Sequence, residues 1–169
     1  MTMLSNIRML THYKAWADDK MFSMLNALPE EEVLRPRLTR FGNMLHTLNH
    51  VYVIDDIFRA HLQGQSHEYQ DRNTATTPPL QELWHASTQM NQWYRDFTKE
   101  LTEDDLERVI HFNFIGGGEG HMSCQEMLLH VVNHATYHRG FVGDMMYQAK
   151  VMPQSTDLTV FVRDVLRAC

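Results

Sequence analysis

The sequence predicts an all-α protein: a four-helix bundle with long crossover connections, a small β-hairpin before the fourth helix and a short C-terminal helix. Three observations carry this. Four long stretches repeat their apolar residues at three, four or seven, which is the helix period. One short stretch alternates instead and runs into a cluster of glycines. Prolines, glycines and polar runs separate these stretches cleanly.

The first helix carries Met3, Ile7, Leu10, Ala17, Met21, Met24 and Leu28 on one face, and Pro29 stops it. Glu30 to Arg40 reads as a charged connection with Pro36 inside. The second helix runs from Asn43 to Leu62, ended by Gly64 and the polar run Gln65 to Thr77. Thr77-Pro78-Pro79 reads as an N-cap followed by prolines in the first turn. The third helix then spans Leu80 to Leu101, with Leu83, Met90, Trp93, Tyr94 and Phe97. Between Glu107 and Ile115 the residues Val109, His111, Asn113 and Ile115 alternate with Arg108, Ile110, Phe112 and Phe114. The glycines that follow supply a turn, so a hairpin is expected there. Ser123-Cys124-Gln125-Glu126 matches a capping box ahead of the fourth helix, which extends to about Ala149. Pro153 and the stretch Ser155 to Asp157 break the chain, and a short helix from Leu158 to Leu166 closes it. The connections after the first three helices are long enough to cross the bundle.

A chain of 169 residues fits one domain, residues 1–169, on a scale of ~150 residues per domain. With 43% hydrophobic and 21% charged residues, a disordered tail is excluded. The formal net charge of -6 argues against a nucleic-acid footprint and a polybasic membrane patch. No apolar run approaches the ~18 residues of a membrane span. The segment Met1 to Lys14 lacks a secretory h-region. Cys124 and Cys169 make no disulfide framework. The expectation is a cytoplasmic protein with reduced thiols and with neither nucleic acid nor membrane as partner. The twelve methionines are scattered and read as core filler, whereas the eleven histidines are where function shows.

The fourth helix holds His130, His134 and His138, each one turn from the next on one face. The second holds His46 and His50 at the same spacing, with His61 further on. If these helices pack side by side, imidazoles from both meet in the core. Three such ligands with open positions make a catalytic rather than a closed structural metal site. The competing reading is a metal-free interaction protein with a pH-sensitive histidine core, in which every ring nitrogen needs another partner. Other metal chemistries fail on residue type. Val131 follows His130 and Ala135 follows His134, so the zincin glutamate is missing. Only Glu82-Leu83-Trp84-His85 fits a Glu-x-x-His motif, and a di-iron bundle needs two. Cys-x-x-Cys, Gly-x-Ser-x-Gly and the P-loop are absent.

The stretch from His130 to Gly140, ending His134-Ala135-Thr136-Tyr137-His138-Arg139-Gly140, resembles the fourth-helix signature of the DinB/YfiT-like superfamily. Leu48-Asn49-His50 with Asp55 resembles its second-helix segment, and Tyr13-Lys14-Ala15-Trp16-Ala17 its first-helix pattern. Lys14 and Asp18 depart from that pattern, which has Asn there, as do Asp56 and Phe58 in the second helix. The resemblance implies a bundle that holds a metal through His50, His134 and His138, commonly as a homodimer, with His46 and His130 as neighbours rather than ligands.

Three neutral histidines suit Zn²⁺ or Ni²⁺. The resemblance further implies a metal-dependent enzyme acting on a small molecule, by thiol-dependent transfer with a low-molecular-weight thiol, or by hydrolysis. The alternative is a non-catalytic bundle that the metal only stabilises, with a stress-response or interaction role. Asp55 is the candidate to orient a ligand imidazole, because Asn133 points about 100° away from His134. Tyr137 and Arg139 flank His138 and are candidates for contact with substrate or partner subunit. His12 and Tyr13 are placed at the cavity mouth. Cys124 sits in a helix first turn that could lower its pKa, against the plainer reading of a buried inert thiol.

Overall fold

A computed structural model describes residues 2–168. Four long helices form the bundle: α1 (Met3–Asn26), α3 (Met44–Leu62), α4 (Leu80–Glu100) and α6 (Cys124–Gln148). Helix α1 packs on α4 and α6, and α3 packs on the same two helices. The connections from α1 to α3 and from α4 to α6 therefore cross the bundle diagonally. The core follows the apolar periodicity, with Ile7, Leu25, Met44, Leu62, Leu83, Leu128 and Met145 fully buried. Each such aliphatic side chain contributes about 1.5–3 kcal/mol relative to an exposed one.

Polar side chains fix where the helices begin and end. Thr2 caps α1, accepting from the Ser5 amide at 3.2 Å. Asn43 caps α3, accepting from the His46 amide at 2.7 Å. Ser123 and Glu126 form the expected capping box of α6. Arg8 of α1 closes the far end of α4, donating to the carbonyls of Thr98, Lys99 and Leu101 at 2.9–3.1 Å.

Strands β1 (Val109–Asn113) and β2 (Glu119–Ser123) pair antiparallel, with His111 opposite His121. Ile110 and Phe112 point into the core, as the alternation predicts. Gly116, Gly117 and Gly118 all have φ near +90 to +100°, which side-chain-bearing residues rarely adopt.

Four local expectations are corrected. The connection after Pro29 contains a short helix, α2 (Glu30–Leu34). Three glutamates in its first turn suit the positive end of the helix dipole, and buried Val33 pins it to the core. A second short helix, α5 (Glu103–Leu106), lies in the stretch before the hairpin and is capped by a Thr102–Asp105 box. Pro79, not Thr77, precedes the first residue of α4, because each proline holds its predecessor extended. The C-terminal helix is α-helical only over α7 (Leu158–Phe161) and widens into a π turn over Val162–Leu166. No helix among the described residues is long and apolar enough to cross a membrane. Cys169 lies outside the described residues.

Candidate metal centre

The packing of α3 against α6 brings His50, His134 and His138 together. Ring centroids lie 5.0 Å apart for His50–His134, 4.7 Å for His50–His138 and 4.4 Å for His134–His138. One nitrogen from each ring falls within 4.8 Å of the other two. This is the one group of three or more potential metal ligands among the described residues, and it could hold a metal ion.

The tautomer of His50 follows from its partner. Its Nδ1 lies 2.8 Å from the Arg72 carbonyl oxygen, which can only accept, so Nδ1 carries the proton and Nε2 a lone pair. That Nε2 is 3.1 Å from His134 Nε2. The loop that delivers Arg72 is held by Asn49, the residue before His50. Its buried Oδ1 accepts from Asn73 Nδ2 and from the Thr74 amide at 3.0–3.1 Å. One helix turn thus supplies both the ligand and the anchor of the carbonyl that orients it.

The rings are neutral at neutral pH. Burial pushes His134 down to about 2, with the charges of His138 and His50 adding to the effect. Burial also lowers His138, to about 4, together with His50 and Arg40. His50 is lowered by burial, against the opposing pull of the Arg72 carbonyl. The buried Nδ1 atoms of His134 and His138 have no hydrogen-bond partner. Neutral imidazoles with one nitrogen of each within 4.8 Å of the other two are a donor set of the type that suits Zn²⁺ or a neighbouring divalent ion.

Phe41 stacks on His50 at 4.3 Å and meets His138 edge-on at 5.4 Å. With Arg40, Arg72, Tyr137 and Phe141 it lines a cavity of about 230 Å³ that opens on the triad.

A model of the DinB family matches residues 3–164. The chain belongs to the DinB family. It is 25% identical over 159 residues to Protein DinB of Bacillus subtilis (strain 168), covering 90% of this chain and 91% of that protein. Its fold is similar to the crystal structure of a DinB-like protein from Bacillus cereus ATCC 10987, with a TM-score of 0.62. That match is 18% identical and covers 85% of this chain and 91% of the other.

The other site residues of this DinB-family chain divide sharply. His46 bonds Thr77 Oγ1 through Nδ1 at 2.7 Å, and His130 stacks on Phe58 at 4.4 Å, so both lie beside the triad rather than in it. Tyr137 is mostly exposed and lines the cavity. Asp55 bonds no imidazole. It accepts from Lys14 Nζ at 2.6 Å, and the orienting role expected of it falls to the Arg72 carbonyl. Arg139 does not reach the cavity. It is buried and donates to Asp18 Oδ1 at 2.6 Å. Tyr13 is also away from the triad, its hydroxyl donating to the Thr156 carbonyl at 2.9 Å. His12 lines a separate cavity with Trp16 and Trp84. Cys124 is fully buried, and burial raises its thiol, which suits the inert reading.

Lys14 and Asp18, the departures from the family pattern, form the centre of a second polar cluster. Lys14 Nζ donates to Asp18, Asp55 and Asn91 at 2.8, 2.6 and 2.8 Å. Burial raises Asp18, but Lys14 and Arg139 outweigh it and hold the carboxyl below its ordinary range. Asp55 shares only Lys14, and its Oδ1 has no partner, so burial wins and lifts it to about 6. Arg40, Phe41 and Arg72 were not legible from the sequence, because they arrive on irregular connections with no periodicity to place them.

Proposed function

We propose that His50, His134 and His138 hold one divalent cation, Zn²⁺ or Ni²⁺, and that the protein is a metal-dependent enzyme. The reaction is thiol-dependent transfer to a small molecule, with hydrolysis as the related second chemistry. A divalent cation at this position supplies Lewis acidity, which ionises a thiol or water at neutral pH. The observation that carries the reading is the convergence of three neutral imidazoles on the floor of a cavity. A purely structural site needs no cavity.

The chain's own residues have separable tasks. The Arg72 carbonyl accepts a hydrogen bond from His50 Nδ1–H, keeping Nε2 free to ligate. Phe41 and Phe141 restrict water around the rings. Arg40 and Arg72 place positive charge beside them, which favours an anionic thiolate or carboxylate over a neutral competitor. Tyr137 stands at the mouth, where its hydroxyl can meet a bound substrate. A cytoplasmic setting, where small thiols stay reduced, suits this chemistry. A homodimer belongs to the same proposal and is read by light scattering.

The test is metal analysis of protein purified without an affinity tag, followed by zinc and nickel titration and a screen of thiols against electrophiles. Close to one metal per chain and a thiol-dependent rate abolished in His134→Ala are expected. Protein that stays empty on titration overturns the metal; full occupancy with no rate for any pair leaves the stabilised-bundle alternative.

A further inference from the structure

The triad does not close the end of one pocket; it stands between two. The cavity already described lies on one side. On the other, between α3, α6 and the hairpin, is a second cavity of about 250 Å³. Ile54, Ile57, Phe58, Phe112, Phe114 and Ile115 supply most of its wall. His50, Arg72 and His134 border both cavities. Either space alone falls short of the ~300–1,000 Å³ of ordinary ligand pockets, and the shared border makes them adjacent parts of one site.

The charge on the walls is one-sided. The chain has 21 acidic and 15 basic residues, yet no Asp or Glu lines either cavity. Arg40 and Arg72 do, and neither takes part in an ion pair among the described residues. Both line the first cavity together with His50, His134 and His138, which places them beside the triad. A planar guanidinium pairs best with a planar anion such as a carboxylate. Six aliphatic and aromatic side chains in the second cavity fit a hydrocarbon body, with His61, Asn113 and His130 the polar groups beside them besides His50, Arg72 and His134.

We propose that the site takes an amphipathic carboxylate as substrate. Its anionic group lies at Arg40 and Arg72, and its aromatic or branched hydrocarbon body fills the second cavity. The reacting atom sits between them beside His50 and His134. The inference rests on the triad being the reacting centre, but the recognition it describes does not require the metal.

Three probes separate the parts: 3-phenylpropanoate, the matching alcohol 3-phenylpropan-1-ol, and propanoate. Each is titrated into metal-free and into zinc-loaded protein, with isoleucine methyl NMR as readout. Phenylpropanoate is expected to move the methyls of Ile54, Ile57 and Ile115 and to bind at least tenfold tighter than either of the others. The double variant Arg40→Gln, Arg72→Gln should bring the acid down to the affinity of the alcohol. Ile115→Trp, which fills the second cavity from the hairpin side, should bring phenylpropanoate down to propanoate. Dispersed methyl spectra certify that each variant is folded. Equal affinity for acid and alcohol, or methyls of Ile54, Ile57 and Ile115 that never move, overturns the inference. Protein that takes no zinc but still discriminates the probes refutes the metal reading while upholding this ligand class. Zinc-loaded protein that ignores the probes refutes the ligand class alone.

Discussion

The bundle buries two polar clusters, and they are opposite in kind. Around Lys14, four charged side chains from α1, α3 and α6 neutralise one another with Asn91 of α4. Around His134, three rings hold no charge at neutral pH and leave buried nitrogens unbonded. The first cluster is complete within the chain apart from one oxygen of Asp55 and the Nε of Arg139. The second brings three ring nitrogens within 4.8 Å of one another, a set that could hold a metal ion. A structural role and a binding role thus differ in whether the protein supplies both halves of the interaction.

That contrast can be broken most forcefully at Asp18, which holds Lys14 and Arg139 together. Asp18→Ala leaves two buried cations with one carboxylate and should cost about 3–5 kcal/mol in urea unfolding. A loss below 1 kcal/mol would mean that water enters the cluster. Zinc tests the other region. At a free concentration 100-fold above its dissociation constant it should stabilise the native chain by about 2.7 kcal/mol, and His134→Ala by essentially nothing. Equal stabilisation of both would place the ion elsewhere. Asn49→Ala sharpens the comparison, because it should release the loop that presents the Arg72 carbonyl. Zinc affinity should fall about 10–100-fold while the Lys14 cluster stays intact. Unchanged affinity by calorimetry would show that His50 needs no such partner.

The smallest effect is one of pH. Asp55 has a folded pKa of about 6, above its ordinary 3.8, because burial outweighs Lys14. Its contribution is fully present below pH ~4 and is lost as pH rises through about 6. Asp55→Asn mimics the protonated state, so its stability relative to the native chain should improve between pH 4 and 7. A difference that stays constant over that window would place the proton elsewhere.

Much of this architecture was legible because helices announce themselves by period. The fourth-helix ladder and the capping box at Ser123 located α6, and the alternation around Phe112 located the hairpin. The two short helices were missed because four or five residues are too few to show a period. At the site, spacing offers the ladder His130, His134 and His138 and the pair His46 and His50, while the family resemblance was needed to choose His50, His134 and His138 among them. Asp55 was misassigned for a physical reason. Its spacing of five from His50 puts it about 140° around the helix from that ring, and Lys14 on the diagonally opposite helix offers it a full charge, which an imidazole N–H does not match. Lys14 and Asp18 were visible as departures, and their spacing of four fits an ion pair on one helix, yet nothing local says that the pair is buried.

The ligands stand on helices, while Arg40, Phe41 and Arg72 stand on the connections before and after α3. Insertions and exchanges in such connections disturb little else. A lineage can therefore rewrite what this fold accepts while inheriting the reactive centre unaltered, so relatives that share the histidines need not share a substrate.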